Sequence, residues 1–566
     1  MRGSRPGAVA LSFSLLTAVS PFLAACSDEV VVPAVAAASA GPGSSSTASA
    51  GSGGTGADGG AGSGGQGAGG APAVDLLRAP DQTTITVRFD VDVAAVLPTV
   101  PDAFVVASDE VEDLEVESLA YDAATRTLTL TTERQKLGAT YQLTIVAPQT
   151  PVADLGGELV AADTARFWAL DFGSPTFEYY ELVADRRIVG EHGVIYVEQG
   201  QQSPGTDEAI QFFDEQIFPV ETAKLHAASD FDENGRIVLL ALDGQQYYGG
   251  YFSPFDTYPA DVVEQWGYKS NETDMVYINV GDGAPFDAEH VLTHEFSHLL
   301  YNAEHGIEGA QWSWHNEGLA ECAVRLVNGE NDYAAEFYYS DFFGDLPTGL
   351  SLVHWQGGNY SQYAQAFLFW SYLAGQVSGV DSYTSLFDAG GSPTEIEGWV
   401  QANLGKTLIE AQRDFMIALR LKAASGPHGF GGIVALPDAL PASVPSGVSS
   451  VPLLPFTGVW FALSQPSVDY PGTQGADVVY TGVSASLIDL EAPFDIESGA
   501  LLALNTSFDE DFEPPAQPSG PDIAAAALPA RPAQLVGRDP AWKHPPPLSP
   551  DNLPALHAWR ARTRLR

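Results

Sequence analysis

Three things are scarce in this sequence, and each scarcity excludes a class of protein. Cysteine occurs only at Cys26 and Cys322, too few for a disulfide framework. Basic residues number 25 against 72 acidic ones, a formal net charge of -47. A surface of that sign repels phosphate backbones, which argues against a nucleic-acid partner. The acidity reads as solubility rather than as a site for one cationic ligand. Long apolar runs are lacking too: beyond the amino terminus no segment is long enough to cross a bilayer. No internal repeat is present. What remains is a chain of 566 residues, 45% hydrophobic, enough to fill the cores of about two to four domains.

Composition shifts divide the chain. Arg2 and Arg5 precede an apolar stretch at 8–23, short and placed as in a cleaved export signal. It ends in Leu23-Ala24-Ala25-Cys26, which resembles a bacterial lipobox, so Cys26 is expected to become a lipidated first residue. Ser27 follows, as in outer-membrane sorting; the alternative is ordinary cleavage after Ala25 and secretion. Residues 27–74 form a linker, almost wholly Ala, Gly, Ser and Thr from 34 onward, with the character of a flexible tether. Residues 75–170 alternate as short strands at 85–90, 127–131 and 141–146. Their ending, LGATYQLTIVAPQTPVADLGG, resembles bacterial immunoglobulin-like domains and implies a spacer or adhesion module.

Residues 176–425 mix buried strands, at 237–243 and 275–280, with helical periodicity at 287–303, 316–327, 362–378 and 406–423. Strand-like runs at 459–463 and 500–504 make 446–508 a small β-rich region, and 509–566 reads as a disordered tail.

The chemistry centres on His294-Glu295-Phe296-Ser297-His298. Asp287 can cap this helix and Gly306 can end it. Histidines four apart lie one turn apart on one face, so both imidazoles can reach one tetrahedral Zn2+. Glu295 then stands beside the metal, where it can take a proton from water. The third ligand discriminates among peptidase types. Metzincins need Gly and His where Tyr301 and Glu304 stand here, so that pattern fails. Gluzincins use a glutamate on a second helix, and Glu317 follows His298 after an eighteen-residue gap. The run Asn316-Glu-Gly-Leu-Ala-Glu321 resembles the third-ligand helix of thermolysin-like peptidases and zinc aminopeptidases. That resemblance gives Glu321 the role of a carboxylate supporting a metal-binding histidine. The alternative for Glu317 and Glu321 is a surface i,i+4 pair.

Upstream, Phe213-Asp214, Ile217-Phe-Pro219, Asp230-Phe-Asp-Glu-Asn-Gly-Arg-Ile237, Gly250-Tyr-Phe252, Ser270-Asn-Glu272 and Met275-Val-Tyr-Ile-Asn279 occur in that order. This order resembles the hyicolysin family of secreted bacterial metallopeptidases over about 176–425. The resemblance implies a zinc-dependent peptidase domain there, of α+β zincin (gluzincin) type; with the all-β Ig-like sandwich before it and the small β-rich region after it, the chain is expected to be multidomain. The Gly-x-Met-Glu-Asn motif of zinc aminopeptidases is not found, and the strand at 275–280 is expected to offer an edge to an extended peptide. Both favour internal cleavage of a protein or peptide substrate; the chain is expected to be a monomer, anchored to a membrane through Cys26. The stretch from Tyr360 to Tyr372 resembles the aminopeptidase segment that carries a transition-state tyrosine, which singles out Tyr363. Gln365 and Ala366 replace the Lys-Gly pair of that segment, so a packing role for Tyr363 stays open. The competing reading of the whole chain is a surface adhesin or peptide-binding lipoprotein with a silent zincin domain.

Weaker signals surround the motif. Asp230, Asp232, Asn234 and Gly235 match the first half of a Ca2+ loop, but Ala241 stands where its final glutamate belongs. A β-turn with solvated carboxylates is therefore the preferred reading, and a Ca2+ site the alternative. His290 lies one turn before His294 but is left out, because a catalytic zinc keeps its fourth position open. His305 and His315 read as solvent-facing or packing residues, and Cys322 as a small buried thiol. Trp312 and Trp314 suit a cleft wall or a core equally.

Overall fold

The computed structural model describes residues 72–508 apart from 147–154, 173–177, 203–204, 245–248, 282–287, 308–311, 342–343, 355–359, 445–452, 463–466, 469–476, 485–487, 490–493 and 496–498. Cys26, most of the linker, Asp287 and the tail lie outside the described residues.

Two antiparallel sheets form the first part. One orders Val74–Asp81, Thr84–Phe89, Thr127–Thr132 and Val116–Asp122; the other orders Phe104–Ala107, Thr140–Ile145 and Gly156–Val160. The alternation legible in the sequence is their pleat. Ile85, Val87, Phe89, Leu128 and Leu130 from the first sheet share one core with Phe104, Val106, Tyr141 and Leu143 from the second. The last strand within 75–170, Thr164–Asp171, joins neither. It pairs antiparallel with Glu178–Val189 as the outer strand of a six-stranded sheet.

That larger sheet runs in the order Gly250–Tyr251, Met275–Asn279, Ile237–Leu242, Gly193–Glu198, Glu178–Val189, Thr164–Asp171. Its three strands Gly193–Glu198, Ile237–Leu242 and Met275–Asn279 are parallel. They read as unbroken apolar runs because both of their faces are covered. Ile195, Val197, Leu239, Val276 and Ile278 meet the helices, while Val194, Tyr196, Leu240 and Tyr277 fill a second core with Phe167 and Leu182. The expectation that 275–280 is an edge is corrected here. Gly250–Tyr251 pairs with it, Gly250 opposite Ile278 and Tyr251 opposite Tyr277, and supplies the outermost strand. A two-residue strand is too short to leave a periodic trace.

The helix Ala288–His305 packs on this sheet through Val291, Leu292, Phe296 and Leu299. It ends as expected, with Gly306 at φ 68 and its N–H bonded to the Asn302 carbonyl. The helices Ser313–Asn328, Tyr360–Val377 and Leu408–Leu421 follow around the same core. Near the carboxy end, Gly458–Ala462, Ala500–Asn505, Val478–Val483 and Ile488–Asp489 form a four-stranded sheet. It is not insulated from the helices: Phe456, Trp460 and Leu502 belong to the helical core, and Gln412 Nε2 donates to the Phe456 carbonyl at 2.7 Å. Among the described residues no helix is long and apolar enough to cross a membrane.

Candidate metal centre

His294 and His298 project from one face of Ala288–His305 toward Ser313–Asn328, which carries Glu317. His294 Nε2 lies 3.2 Å from Glu317 Oε2, and His298 Nε2 lies 3.3 Å from the same oxygen. One donor atom from each of the three residues falls within 4.8 Å of the others. All three side chains are at most 2% exposed. Zinc bonds of about 2.0–2.1 Å at tetrahedral angles set neighbouring donors about 3.3–3.4 Å apart, so the spacing suits that ion. Two imidazoles and a carboxylate are also the donor types zinc prefers.

The opposite ring nitrogens are held as well. His298 Nδ1 is 2.8 Å from Asn316 Oδ1, an acceptor that makes this nitrogen the protonated one and leaves the Nε2 lone pair facing Glu317. His294 Nδ1 is 3.3 Å from Glu321 Oε1. Glu321 is itself anchored: Asn331 Nδ2 donates to its Oε2 at 2.8 Å and the Tyr360 hydroxyl does so at 3.3 Å. Burial pushes the Glu321 carboxyl up, but His290 and His294 outweigh it and hold it well below the usual carboxylate range. Burial likewise disfavours a charged His294, yet Glu317 and Glu321 bring its pKa up to about 10. The cluster is built to hold positive charge, the condition a metal cation meets by displacing a proton.

Glu295 is buried in the same helix and faces the sheet edge. A Cβ placed on Gly250 would lie 3.2 Å from Glu295 Cγ, 2.4 Å from Val291 Cγ1 and 2.5 Å from the Tyr277 carbonyl oxygen. Only glycine lets this edge strand run so close to the helix. Tyr363, buried in Tyr360–Val377, has its ring centroid 6.2 Å from that of His294 and stacks on Tyr360.

Other residues singled out from the sequence fall into place around this group. His290 Nε2 is 3.8 Å from Glu321 Oε1, the oxygen that also faces His294 Nδ1. His315 packs in the interior, bonded to the Tyr301 hydroxyl at 2.8 Å and the Leu386 carbonyl at 2.9 Å. Burial brings its pKa down to about 3. His305 is 2.6 Å from the Phe387 carbonyl oxygen. Trp314 is a core residue whose Nε1 donates to the Gly391 carbonyl, and Cys322 is a buried free thiol. Glu221, in Phe218–Lys224, drew no attention in the sequence. It is fully buried, neither of its oxygens has a hydrogen-bond partner among the described residues, and burial holds its carboxyl well above the usual range.

A neutral metalloprotease, ShpI of Staphylococcus hyicus, is 27% identical to this chain over 259 residues. The match covers 41% of this chain and 57% of that protein, so the chain spans little more than half of its relative. No family model matches. Among solved structures, the N-terminal part of the bacterial S-layer protein SbsC aligns over 18% of this chain and 27% of its own, at 20% identity and a TM-score of 0.15. The Group B Streptococcus pullulanase SAP aligns over 22% and 23%, at 8% identity and a TM-score of 0.13. Likeness that slight carries no argument about the fold.

Proposed function

We propose that this chain is a zinc-dependent metallopeptidase of the gluzincin type that cleaves internal bonds of protein or peptide substrates. One observation carries the reading: His294 Nε2, His298 Nε2 and Glu317 Oε2 converge in a buried spot, next to a buried glutamate in the same helix. The name of the Staphylococcus hyicus relative, a neutral metalloprotease, is in keeping with it.

Zinc held by His294, His298 and Glu317 supplies Lewis acidity, acidifying water and polarising a substrate carbonyl. The protein's own residues do the rest. Glu295 takes the proton from the attacking water and delivers it to the leaving amine. Glu321 and Asn316 fix the two imidazole rings so that both present Nε2. An extended peptide adding to the Gly250–Tyr251 edge would run along Glu295, with either end free to continue, which is the geometry of internal cleavage. Tyr363 is the donor to the developing oxyanion in this reading, supported by its position against the His294 ring. Export and a lipid anchor on Cys26 complete the proposal, with the two amino-terminal sheets as a spacer.

The test is Glu295→Ala. It is expected to retain one zinc per chain and lose peptide cleavage. Digestion of protein substrates at the wild-type rate would refute the mechanism.

A further inference from the structure

A second cluster of oxygen donors lies in the turn before Ile237–Leu242, at the start of two neighbouring parallel strands. Asp230 and Asp232 come from that turn, and Asp274 from the residue preceding Met275–Asn279. One carboxylate oxygen from each lies within 4.8 Å of the others. Asp230 is exposed, while Asp232 and Asp274 are only 3% and 1% exposed.

Among the described residues no cation forms an ion pair with Asp230, Asp232 or Asp274. Arg236, at the end of the turn, is engaged elsewhere, with Glu110. Lys136 acts on Asp232 without forming an ion pair with it. Ser229 and the Phe231 N–H bond to the two oxygens of Asp274, and Asn234 Nδ2 and the Thr273 hydroxyl donate to Asp232 Oδ2 at 2.8 and 2.9 Å. Asp232 Oδ1 is buried and has no hydrogen-bond partner among the described residues. A buried acceptor left without a donor, among like charges, is costly unless a cation meets it.

We propose that Asp230, Asp232 and Asp274 bind one Ca2+ ion, distinct from the metal of the peptidase centre. The donors are all hard oxygens, which suits calcium and not zinc. The site departs from the loop that the sequence suggested. Asn234 is not a ligand in it: its amide also donates to the Leu137 carbonyl at 3.0 Å and its Oδ1 accepts from the Arg236 N–H at 2.6 Å. Asp274, from the adjacent strand, supplies the carboxylate that Ala241 does not. The ion has a mechanical role as well. The same turn reaches the amino-terminal part through Asn234 to Leu137 and through Arg236 to Glu110, at 3.1 and 3.2 Å. Calcium binding stiffens this seam.

The test is titration of Ca2+ into the metal-stripped full chain, followed by calorimetry and by the melting midpoint. The expected result is one Ca2+ per chain, with a dissociation constant of about 10⁻³ M or tighter, the range of extracellular modules. Asp232→Asn removes the charge and keeps the shape, and Asp230→Asn changes only an exposed residue, so its folding is secure. Both are expected to weaken binding at least about tenfold and to abolish the calcium-dependent rise in midpoint. His294→Ala is expected to bind Ca2+ as the wild type does. No binding up to about 10 mM Ca2+, wild-type binding in both Asp variants, or loss of binding in His294→Ala would each overturn the proposal. Equal affinity for Mg2+ would overturn the assignment to calcium.

Discussion

Replacing Glu321 by Gln tests how the proposed zinc ligands are held. The side chain is wholly buried, with His294 Nδ1 3.3 Å and His290 Nε2 3.8 Å from Oε1, and Asn331 and Tyr360 donating to Oε2. Glutamine keeps the shape, and its carbonyl oxygen can still accept from Asn331 and Tyr360. Its amide then faces the protonated Nδ1 of His294, a donor against a donor. The negative charge that steadies the imidazole is also gone. Loss of such an outer carboxylate weakens metal binding about 10- to 100-fold, or about 1.4–2.7 kcal/mol. Competition for zinc with a chromophoric chelator measures this directly, and circular dichroism establishes that the variant is folded. The ligands themselves are untouched, so zinc should still bind, only more weakly. A folded Glu321→Gln protein whose zinc affinity stays within about twofold of the wild type would refute the positioning role.

Three further outcomes are expected. Tyr363→Phe should lower kcat by about 10²–10³-fold with zinc content unchanged, and a wild-type kcat would assign Tyr363 to packing alone. Glu221→Met removes a buried carboxyl that has no hydrogen-bond partner among the described residues, so the melting midpoint should hold or rise. A fall of more than about 4 °C, roughly 1 kcal/mol or more, would contradict that account. Cys26→Ser should move the protein from the detergent phase to the aqueous phase in a cloud-point separation, whereas unchanged partitioning would remove Cys26 as the lipid anchor.

What the sequence discloses here depends on how local the signal is. His294 and His298 repeat at one helical turn and Glu317 lies near the start of the next helix, so this group is legible without coordinates. The strands of the amino-terminal sheets alternate cleanly because one face of each is solvated, as at Thr84–Phe89 and Thr140–Ile145. Features made by distant segments leave no such trace. Asp274 meets Asp230 and Asp232 only because two parallel strands start side by side. The edge role of Gly250–Tyr251 depends on sheet order, and periodicity carries no information about order. The carboxy-terminal strands looked separate because a Pro- and Gly-rich stretch precedes them, yet Trp460 and Leu502 complete the helical core. Glu221 is hidden for a different reason. A glutamate on a short helix whose other residues are half-buried or exposed looks like a surface residue until that one position is seen to face inward.

The central claim is that His294, His298 and Glu317 hold a zinc ion. Anomalous diffraction recorded on either side of the zinc absorption edge, from crystals of the full chain, tests it most directly. The account predicts one strong peak within about 2.0–2.2 Å of His294 Nε2, His298 Nε2 and a Glu317 oxygen. A zinc peak liganded by other residues, or no peak at this cluster in zinc-supplied crystals, would contradict it.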